Sequence, residues 1–145
     1  MIGLIISGHG NFASGMVSSL TLIAGTPTQC VTLDFIEGDT TDRLEAAMEE
    51  AIESLNECEG VIMCTDLAGG SPFKSACIVS AGNPKVEVLA GCNLPMLIEM
   101  SLMRQFEMDV RHLADKAVKT GKDQILRFEY VAIEKHQADD DIDGI

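Results

Sequence analysis

Short apolar runs alternate along the chain with longer amphipathic stretches. The runs at 2–7, 30–35, 61–65 and 86–90 have the length and composition of buried strands. A helical pattern follows each of them, at about 12–24, 41–55, 72–81 and 95–103. In the second helix the apolar residues fall on one side and the glutamates on the other. The chain therefore predicts four strand-then-helix units.

The pattern changes after the fourth unit. A further helix is predicted at 110–119, ending near Gly121, and apolar residues then mostly alternate with polar ones over 126–132. This period of two favours an antiparallel edge strand; a continuing helix is the alternative. Four parallel strands and this fifth strand define a doubly wound α/β sheet with helices on both faces. In the usual order 2-1-3-4-5, strands one and three are neighbours, so the loops that follow them meet at one edge.

Those two loops carry a histidine and an aspartate. Gly8-His9-Gly10-Asn11 follows the first strand, and Asp66 stands where the third strand ends. A carboxylate that binds one ring nitrogen fixes the tautomer and leaves the other nitrogen free as a nucleophile. His9 and Asp66 are therefore the predicted catalytic pair, and a histidine in a surface turn is the alternative. His112 and His136 lack ligand-like spacing and are interpreted as surface residues.

The Asp66 loop continues into a helix-start signal. In Gly69-Gly70-Ser71-Pro72, Ser71 is the expected N-cap and Pro72 the first helical residue. Two glycines allow a tight turn, and unpaired backbone N–H groups at a helix N-terminus suit an anion. Gly69, Gly70 and Ser71 are therefore predicted to hold a phosphoryl group attached to His9. A plain strand–turn–helix connection is the alternative.

Composition narrows the class of protein. With 145 residues and a net charge of −13, the chain fits one domain at 1–133 and an acidic tail at 134–145 that is predicted to be disordered. The charge argues against nucleic acid and favours a basic protein partner. The five cysteines include no C-x-x-C pair, and no apolar run approaches the roughly 18 residues of a membrane span. We therefore expect a soluble protein of the reducing cytoplasm.

Several motif-based chemistries do not fit. The sequence has no G-x-x-x-x-G-K-[ST], no G-x-G-x-x-G after the first strand and no G-x-S-x-G. This argues against a P-loop, a Rossmann cofactor site and a serine hydrolase. The acidic tail copies the opening of a calcium loop but lacks the closing glutamate. We therefore expect neither a metal site nor a cofactor.

Four segments together carry a resemblance to a known family: the first strand with Gly8-His9-Gly10, Asp34-Phe35, Thr65-Asp66-Leu67-Ala68-Gly69-Gly70-Ser71-Pro72-Phe73 and Gly91-Cys92-Asn93-Leu94-Pro95-Met96-Leu97-Ile98-Glu99. Over about residues 1–132 the chain resembles the mannose-family IIA components of the bacterial sugar phosphotransferase system. The resemblance implies a homodimer that exchanges its fifth strand between subunits. It also implies that His9 accepts a phosphoryl group from the phosphohistidine carrier protein and passes it to a IIB component. Asp66 would then orient the imidazole, and Ser71 would lie near the phosphoryl group.

Two departures from the mannose type indicate a branch of the family. Leu67-Ala68 is aliphatic where mannose-type members commonly carry an aromatic residue, and the given sequence stops after its acidic tail where many members continue into a IIB domain. Gly8-His9-Gly10, Asp66-Leu67 and the Gly144-Ile145 ending look more like the N-acetylgalactosamine or galactosamine branch. Sugar selection would reside in the membrane IIC and IID components, which a IIA component serves only indirectly. The phosphotransfer subunit of a dihydroxyacetone kinase and a non-catalytic regulatory binding module are the alternative functions.

A partner protein that delivers a phosphoryl group needs a docking surface with an apolar centre. Phe12, Leu67 and Phe73 are the apolar residues nearest the two loops in sequence, and they are the predicted docking residues. The alternative is that Phe12 and Phe73 start helices and pack inward.

Overall fold

The computed structural model describes residues 1–131, in which four strands alternate with five helices. The elements in chain order are β1 (Gly3–His9), α1 (Phe12–Ala24), β2 (Cys30–Phe35), α2 (Thr41–Ser54), β3 (Val61–Thr65), α3 (Ser71–Ser80), β4 (Val86–Leu89), α4 (Leu94–Met103) and α5 (Val110–Asp123). None of these helices is long and apolar enough to cross a membrane. The four predicted strand-then-helix units and the helix after them are confirmed.

The four strands form one parallel sheet in the order β2-β1-β3-β4. The apolar runs of β1 and β3 occupy its centre, where a strand is buried on both faces. In the register, Ser7 pairs with Thr65 of β3, and His9 pairs with Phe35 of β2. The carboxyl ends of these three strands therefore lie together at one edge, as the strand order predicts.

Helices cover both faces of the sheet. On one face α1, α4 and α5 enclose an apolar cluster, and on the other face α2 and α3 enclose a second one. Alternate residues of the central strands supply the two clusters: Leu4 and Ile6 belong to the first, and Ile5 and Met63 to the second. Because both faces are covered, the loops at the edges are the part of the sheet that a partner can reach.

Two predicted boundaries are wrong. The sequence places Gly8 and His9 in a loop, but both pair with β2 and extend β1. The sequence also makes Ser71 the N-cap of α3, whereas Gly70 takes that position and Ser71 is the first helical residue. The reason is that Gly70 still has an extended backbone, with φ −71° and ψ 165°, and the helical conformation starts directly after it.

Within the described residues, the segment predicted as a fifth strand joins no sheet. Residues 126–131 pair with no strand of the described part, and Leu126, Phe128 and Tyr130 are 81%, 83% and 84% exposed. Alternating side chains are only half of what a strand needs, because its backbone groups must also bond to a neighbouring strand. Ala132, His136 and the acidic tail at 134–145 lie outside the described residues.

Candidate active site

His9 and Asp66 meet at the edge where β1 and β3 end. The Oδ2 atom of Asp66 accepts a hydrogen bond from the backbone N–H of His9 at 2.8 Å and lies 2.8 Å from Nδ1 of the His9 ring. Since an ionised carboxylate can only accept, Nδ1 carries the proton in this contact, and Nε2 is the unprotonated nitrogen of the neutral ring. The structure thus brings together two residues that the sequence separates by 57 positions.

The surroundings of Asp66 keep its carboxylate ionised. Burial raises the pKa of Asp66, but the hydrogen bonds from the backbone and ring of His9 outweigh this effect and leave that pKa below its usual value. The side chain of Asp66 is 14% exposed and that of His9 is 47% exposed. Oδ1 of Asp66 is buried and has no hydrogen-bond partner among residues 1–131. The pair therefore combines a shielded, ionised carboxylate with a ring that a partner can reach.

Phe35 and two glycines shape the space around the ring. Phe35, at the end of β2, meets the His9 ring edge to face, with 5.9 Å between centroids and 76° between planes. The backbone N–H of Gly10 donates to the Phe35 carbonyl at 2.8 Å and fixes the chain as it leaves β1. A Cβ at Gly8 would clash with the Phe12 side chain, so the glycine is what lets Phe12 pack over the end of β1.

The start of α3 lies against the His9 ring. A Cβ added at Gly70 would be only 2.9 Å from Cε1 of His9, so the ring packs directly on the glycine backbone. Gly69 adopts a φ of 78°, in the left-handed region that favours glycine. Within the described chain, the backbone N–H groups of Ser71 and Phe73 have no acceptor. Because Nε2 is bonded to Cε1, the free ring nitrogen lies beside a helix N-terminus that can bind an anion.

The predicted docking residues differ in exposure. Leu67 is 59% exposed, whereas Phe12 and Phe73 are half-buried. Phe12 packs against the apolar cluster beneath α1, so the inward-packing alternative describes it better. Ile36, which the sequence analysis did not single out, is 51% exposed directly after β2. Ile36 joins Leu67 as an exposed apolar residue at this edge.

Asp34 caps the helix that follows the strand carrying His9. Its Oδ1 accepts a hydrogen bond from the backbone N–H of Ser14 at 2.9 Å, whereas Asn11, the N-cap of α1, makes no side-chain capping bond. Asp34 therefore caps α1 from the neighbouring strand β2. In the sequence Asp34 stands out only as part of a motif, because a contact across 20 positions leaves no local signal.

The other described histidine lies at the opposite edge. His112 is in the first turn of α5, whose Val110 would contact a Cβ at Gly60, just before β3 begins. Its Nδ1 is 2.6 Å from Oε2 of Glu107, and the side chain is 59% exposed, which confirms a surface position. Among residues 1–131 no group of three or more metal-ligating side chains is placed to hold a metal ion.

Comparison with known proteins connects this fold to one class. The family model EIIA-man, described as "PTS system fructose IIA component", matches residues 3–118. The fructose-specific EIIA component of Bacillus subtilis (strain 168) is 30% identical over 105 residues, which are 72% of each chain. The mannose-specific EIIAB component of Escherichia coli (strain K12) is 28% identical over 134 residues, which are 92% of this chain and 42% of that protein. The crystal structure of a phosphotransferase system component EIIA from Streptococcus agalactiae superposes with a TM-score of 0.81 at 34% identity, over 88% of this chain and 97% of that one.

These matches all fall in one class of protein, the IIA components of the sugar phosphotransferase system. Within that class the chain belongs to the EIIA-man family, which confirms the resemblance found in the sequence. The chain spans only 42% of the length of the mannose-specific EIIAB relative. Of the functions that the sequence left open, family membership supports a IIA component.

Proposed function

We propose that the protein is a phosphoryl carrier. His9 accepts a phosphoryl group from the phosphohistidine carrier protein of the phosphotransferase system and passes it to a IIB component. The observation that carries this proposal is the 2.8 Å contact between Oδ2 of Asp66 and Nδ1 of His9. It fixes the tautomer in which Nε2 holds the free lone pair, on a side chain that is 47% exposed.

In the proposed step, the lone pair of His9 Nε2 attacks the phosphorus of the carrier's phosphohistidine. The new N–P bond forms as the old N–P bond breaks, and the carrier imidazole leaves with the electron pair of the broken bond. The His9 ring keeps its proton on Nδ1 and becomes positively charged, so the ionised Asp66 stabilises it. Transfer to the IIB component reverses these bond changes.

The N-terminus of α3 supports a phosphoryl group at that position. The N–H groups of Ser71 and Phe73 are available there, and the Ser71 hydroxyl belongs to the same turn. Gly69 and Gly70 present backbone without side chains, so phosphoryl oxygens can approach closely. We therefore assign Gly69, Gly70 and Ser71 to phosphoryl binding.

Intact mass after incubation with phosphorylated carrier protein tests the assignment of His9. The wild-type chain should gain one phosphate that is acid-labile and alkali-stable. His9→Ala should fold normally and gain none, because an accessible edge position contributes little to stability. His112→Ala is the matched control, since that exposed ring also contacts a carboxylate through Nδ1, and it should still gain one phosphate. Phosphate on the His9→Ala chain would contradict the assignment.

Asp66→Ala tests the orienting carboxylate. Without Asp66 the ring can adopt the other tautomer, so transfer should slow roughly ten- to thousandfold, as for other positioned acid–base partners. The substitution also removes the repulsion between the carboxylate and the incoming phosphoryl group, and this partly offsets the loss of rate. Stopped-flow or quench measurement of phosphoryl uptake gives the rate, and a wild-type rate would contradict the orienting role.

The sugar enters the proposal only through the partners. A IIA component handles the phosphoryl group alone, so we place sugar selection in membrane IIC and IID components and the IIA chain in the cytoplasm. The aliphatic Leu67-Ala68 supports transport of N-acetylgalactosamine or galactosamine, with another mannose-family sugar as the alternative. Transfer from the phosphorylated chain to a IIB protein for N-acetylgalactosamine should be faster than transfer to one for mannose. The reverse order would contradict this branch.

We also propose that two copies form a homodimer. The exposed apolar residues of 126–131 need a neighbouring surface and strand edge, and a second copy can supply both. An apolar groove on α1 and α4, lined by Leu22, Ile23, Leu94, Pro95 and Ile98, offers further surface of the same kind. A chain ending at Ile125 should therefore be monomeric by light scattering while the full chain is dimeric. A dimeric truncated chain would contradict the role of this segment.

A further inference from the structure

Two buried polar atoms lie without a partner near the contact between His9 and Asp66. Oδ1 of Asp66 and Oγ of Ser7 are closed to solvent, and neither has a hydrogen-bond partner among residues 1–131. Ser7 as a whole is only 1% exposed. A buried polar group that stays unpaired costs free energy, so native proteins pair nearly all such groups. The serine hydroxyl can donate a hydrogen bond and the ionised carboxylate can only accept one, so the two atoms are complementary.

The register places Ser7 next to Asp66. Ser7 pairs with Thr65 of β3, the residue before Asp66. The spacing of strands and the rise per residue then put the Cα atoms of Ser7 and Asp66 about 6 Å apart, a gap that a serine and an aspartate side chain can close with a hydrogen bond. Ser7 also precedes His9 by two positions in β1, so both side chains leave the strand on the same face. The hydroxyl of Ser7 is therefore on the side of the sheet where the ring contacts Asp66.

The other buried donors of the described chain do not serve Asp66. The hydroxyl of Thr65 donates to a carbonyl of β4 at 2.9 Å, and the hydroxyl of Ser75 donates to a carboxylate of α2 at 3.3 Å. Nε of Arg104 is also buried and unpaired, but the same guanidinium donates to the carbonyl just before β1, at the opposite edge of the sheet. Ser7 is therefore the unpaired buried side-chain donor that is placed to reach Oδ1.

We propose that Ser7 is a positioning residue for phosphoryl transfer: its hydroxyl, turned about the Cα–Cβ bond, donates to Oδ1 of Asp66 and holds the carboxylate whose Oδ2 binds His9. The inference rests on the proposed phosphoryl transfer at His9. A carboxylate bonded through one oxygen can rotate and release the ring, whereas one that is held through both oxygens cannot. Ser7 thus acts through Asp66 and does not touch the phosphoryl group, in the way that an outer hydrogen bond orients a reacting group elsewhere.

Removal of the hydroxyl tests this role through the rate of phosphoryl uptake from the carrier protein. Ser7→Ala should slow uptake roughly three- to tenfold, because a hydrogen bond to a charged group is lost while the other contacts of Asp66 remain. In an Asp66→Ala chain the same substitution should not change the rate further, since no carboxylate is left to hold. Ser75→Ala is the matched control: that serine is also 1% exposed, and its hydroxyl bonds to α2 instead, so uptake should proceed at the wild-type rate.

Two further measurements need no phosphoryl donor. NMR of the ring nitrogens reports the tautomer of His9, and Ser7→Ala should contain more of the form protonated on Nε2 than the wild type, whereas Ser75→Ala should not. Urea unfolding separates a bonded hydroxyl from an unpaired one. Loss of a hydroxyl that is bonded to Asp66 should lower the unfolding midpoint, whereas loss of an unpaired buried hydroxyl should raise it, because an unsatisfied group is removed. We expect the midpoint of Ser7→Ala to fall.

The outcomes are distinct. A Ser7→Ala chain with wild-type uptake, or with an unchanged or higher unfolding midpoint, would overturn the inference and leave transfer at His9 intact. An equal loss of rate from Ser7→Ala in the wild-type and Asp66→Ala chains would also overturn it, because Ser7 would then act independently of the carboxylate. A wild-type chain that takes up no phosphate would overturn the proposed function and the role of Ser7 in transfer. The NMR and urea measurements would still decide whether Ser7 holds Asp66.

Discussion

The contact between Gly70 and His9 can be perturbed by a single methyl group. Gly70 has φ −71° and ψ 165°, a backbone conformation that alanine adopts without strain. The added carbon of Gly70→Ala would lie 2.9 Å from Cε1 of His9 and 3.2 Å from the carbonyl oxygen of Leu67. Carbon atoms in ordinary contact are about 3.5–4.0 Å apart. The ring or the turn must therefore move by roughly 1 Å.

That movement should slow phosphoryl transfer much more than it lowers stability. A ring displaced by this amount loses its 2.8 Å contact with Asp66 or its alignment with the start of α3. Misplacement of a reacting group by about 1 Å costs roughly a hundredfold in rate, so we expect a loss of that size. The free energy of unfolding should change by less than about 2 kcal/mol, because the lower chain entropy of unfolded alanine offsets part of the overpacking.

Phosphate incorporation from the carrier protein, followed by intact mass over time, gives the rate, and urea unfolding gives the stability. Gly15→Ala is the control, since Gly15 lies inside α1 and its added Cβ would meet no atom within 4 Å apart from the adjoining residues and the backbone of its own helix. It should gain about 0.5–1 kcal/mol of stability and transfer at the wild-type rate. Wild-type transfer by Gly70→Ala would refute the idea that the ring works from its packed position against α3.

Three other contacts can be tested in the same way. His9 holds the pKa of Asp66 below its usual value, so the stabilisation by the carboxylate is complete above about pH 4 and is lost as the pH falls through the lowered pKa. In acid titrations the wild type should therefore lose more stability below about pH 4 than Asp66→Asn does; parallel curves would count against the contact. Arg104 is 2% exposed and donates to three backbone carbonyl groups. Arg104→Met should therefore lower the free energy of unfolding, measured in urea, by about 2–4 kcal/mol. Arg111→Met is the control and should change it little, because the Arg111 side chain is 78% exposed. Asp34→Ala removes the acceptor for the Ser14 N–H and should cost about 1 kcal/mol by the same measurement; no change would mean that this N–H finds another acceptor.

The sequence predicts those parts of the fold that produce a recognisable pattern in the local amino-acid composition. A central parallel strand is buried on both faces, so β1 and β3 appear as unbroken apolar runs. The chirality and order rules of such sheets then bring the ends of these strands together, which is why the sequence is enough to pair His9 with Asp66. Phe35 could be placed on the neighbouring strand in the same way, although its contact with the ring could not be foreseen.

The parts that could not be predicted depend on contacts between distant residues. The capping of α1 by Asp34, the burial of Arg104 and the exposure of Ile36 are set by packing, and no local pattern records them. The fifth strand is the converse case, because 126–131 has the local pattern of a strand but finds no partner strand within the described chain. A periodic pattern shows what a segment can form, and the neighbouring backbone decides whether it forms.

The position of His9 meets two requirements that usually conflict. The glycines on either side would leave a histidine in a loop free to move, but here the residue is paired with Phe35 in the sheet, its backbone N–H and Nδ1 are both held by Asp66, and Gly70 supports the ring. With all these constraints the side chain is still 47% exposed. A phosphoryl carrier that must present one nitrogen to two different proteins needs this combination of a fixed ring and an open edge. A local substitution that frees the ring, such as Asp66→Ala, should therefore slow transfer from the carrier and transfer to the IIB component together.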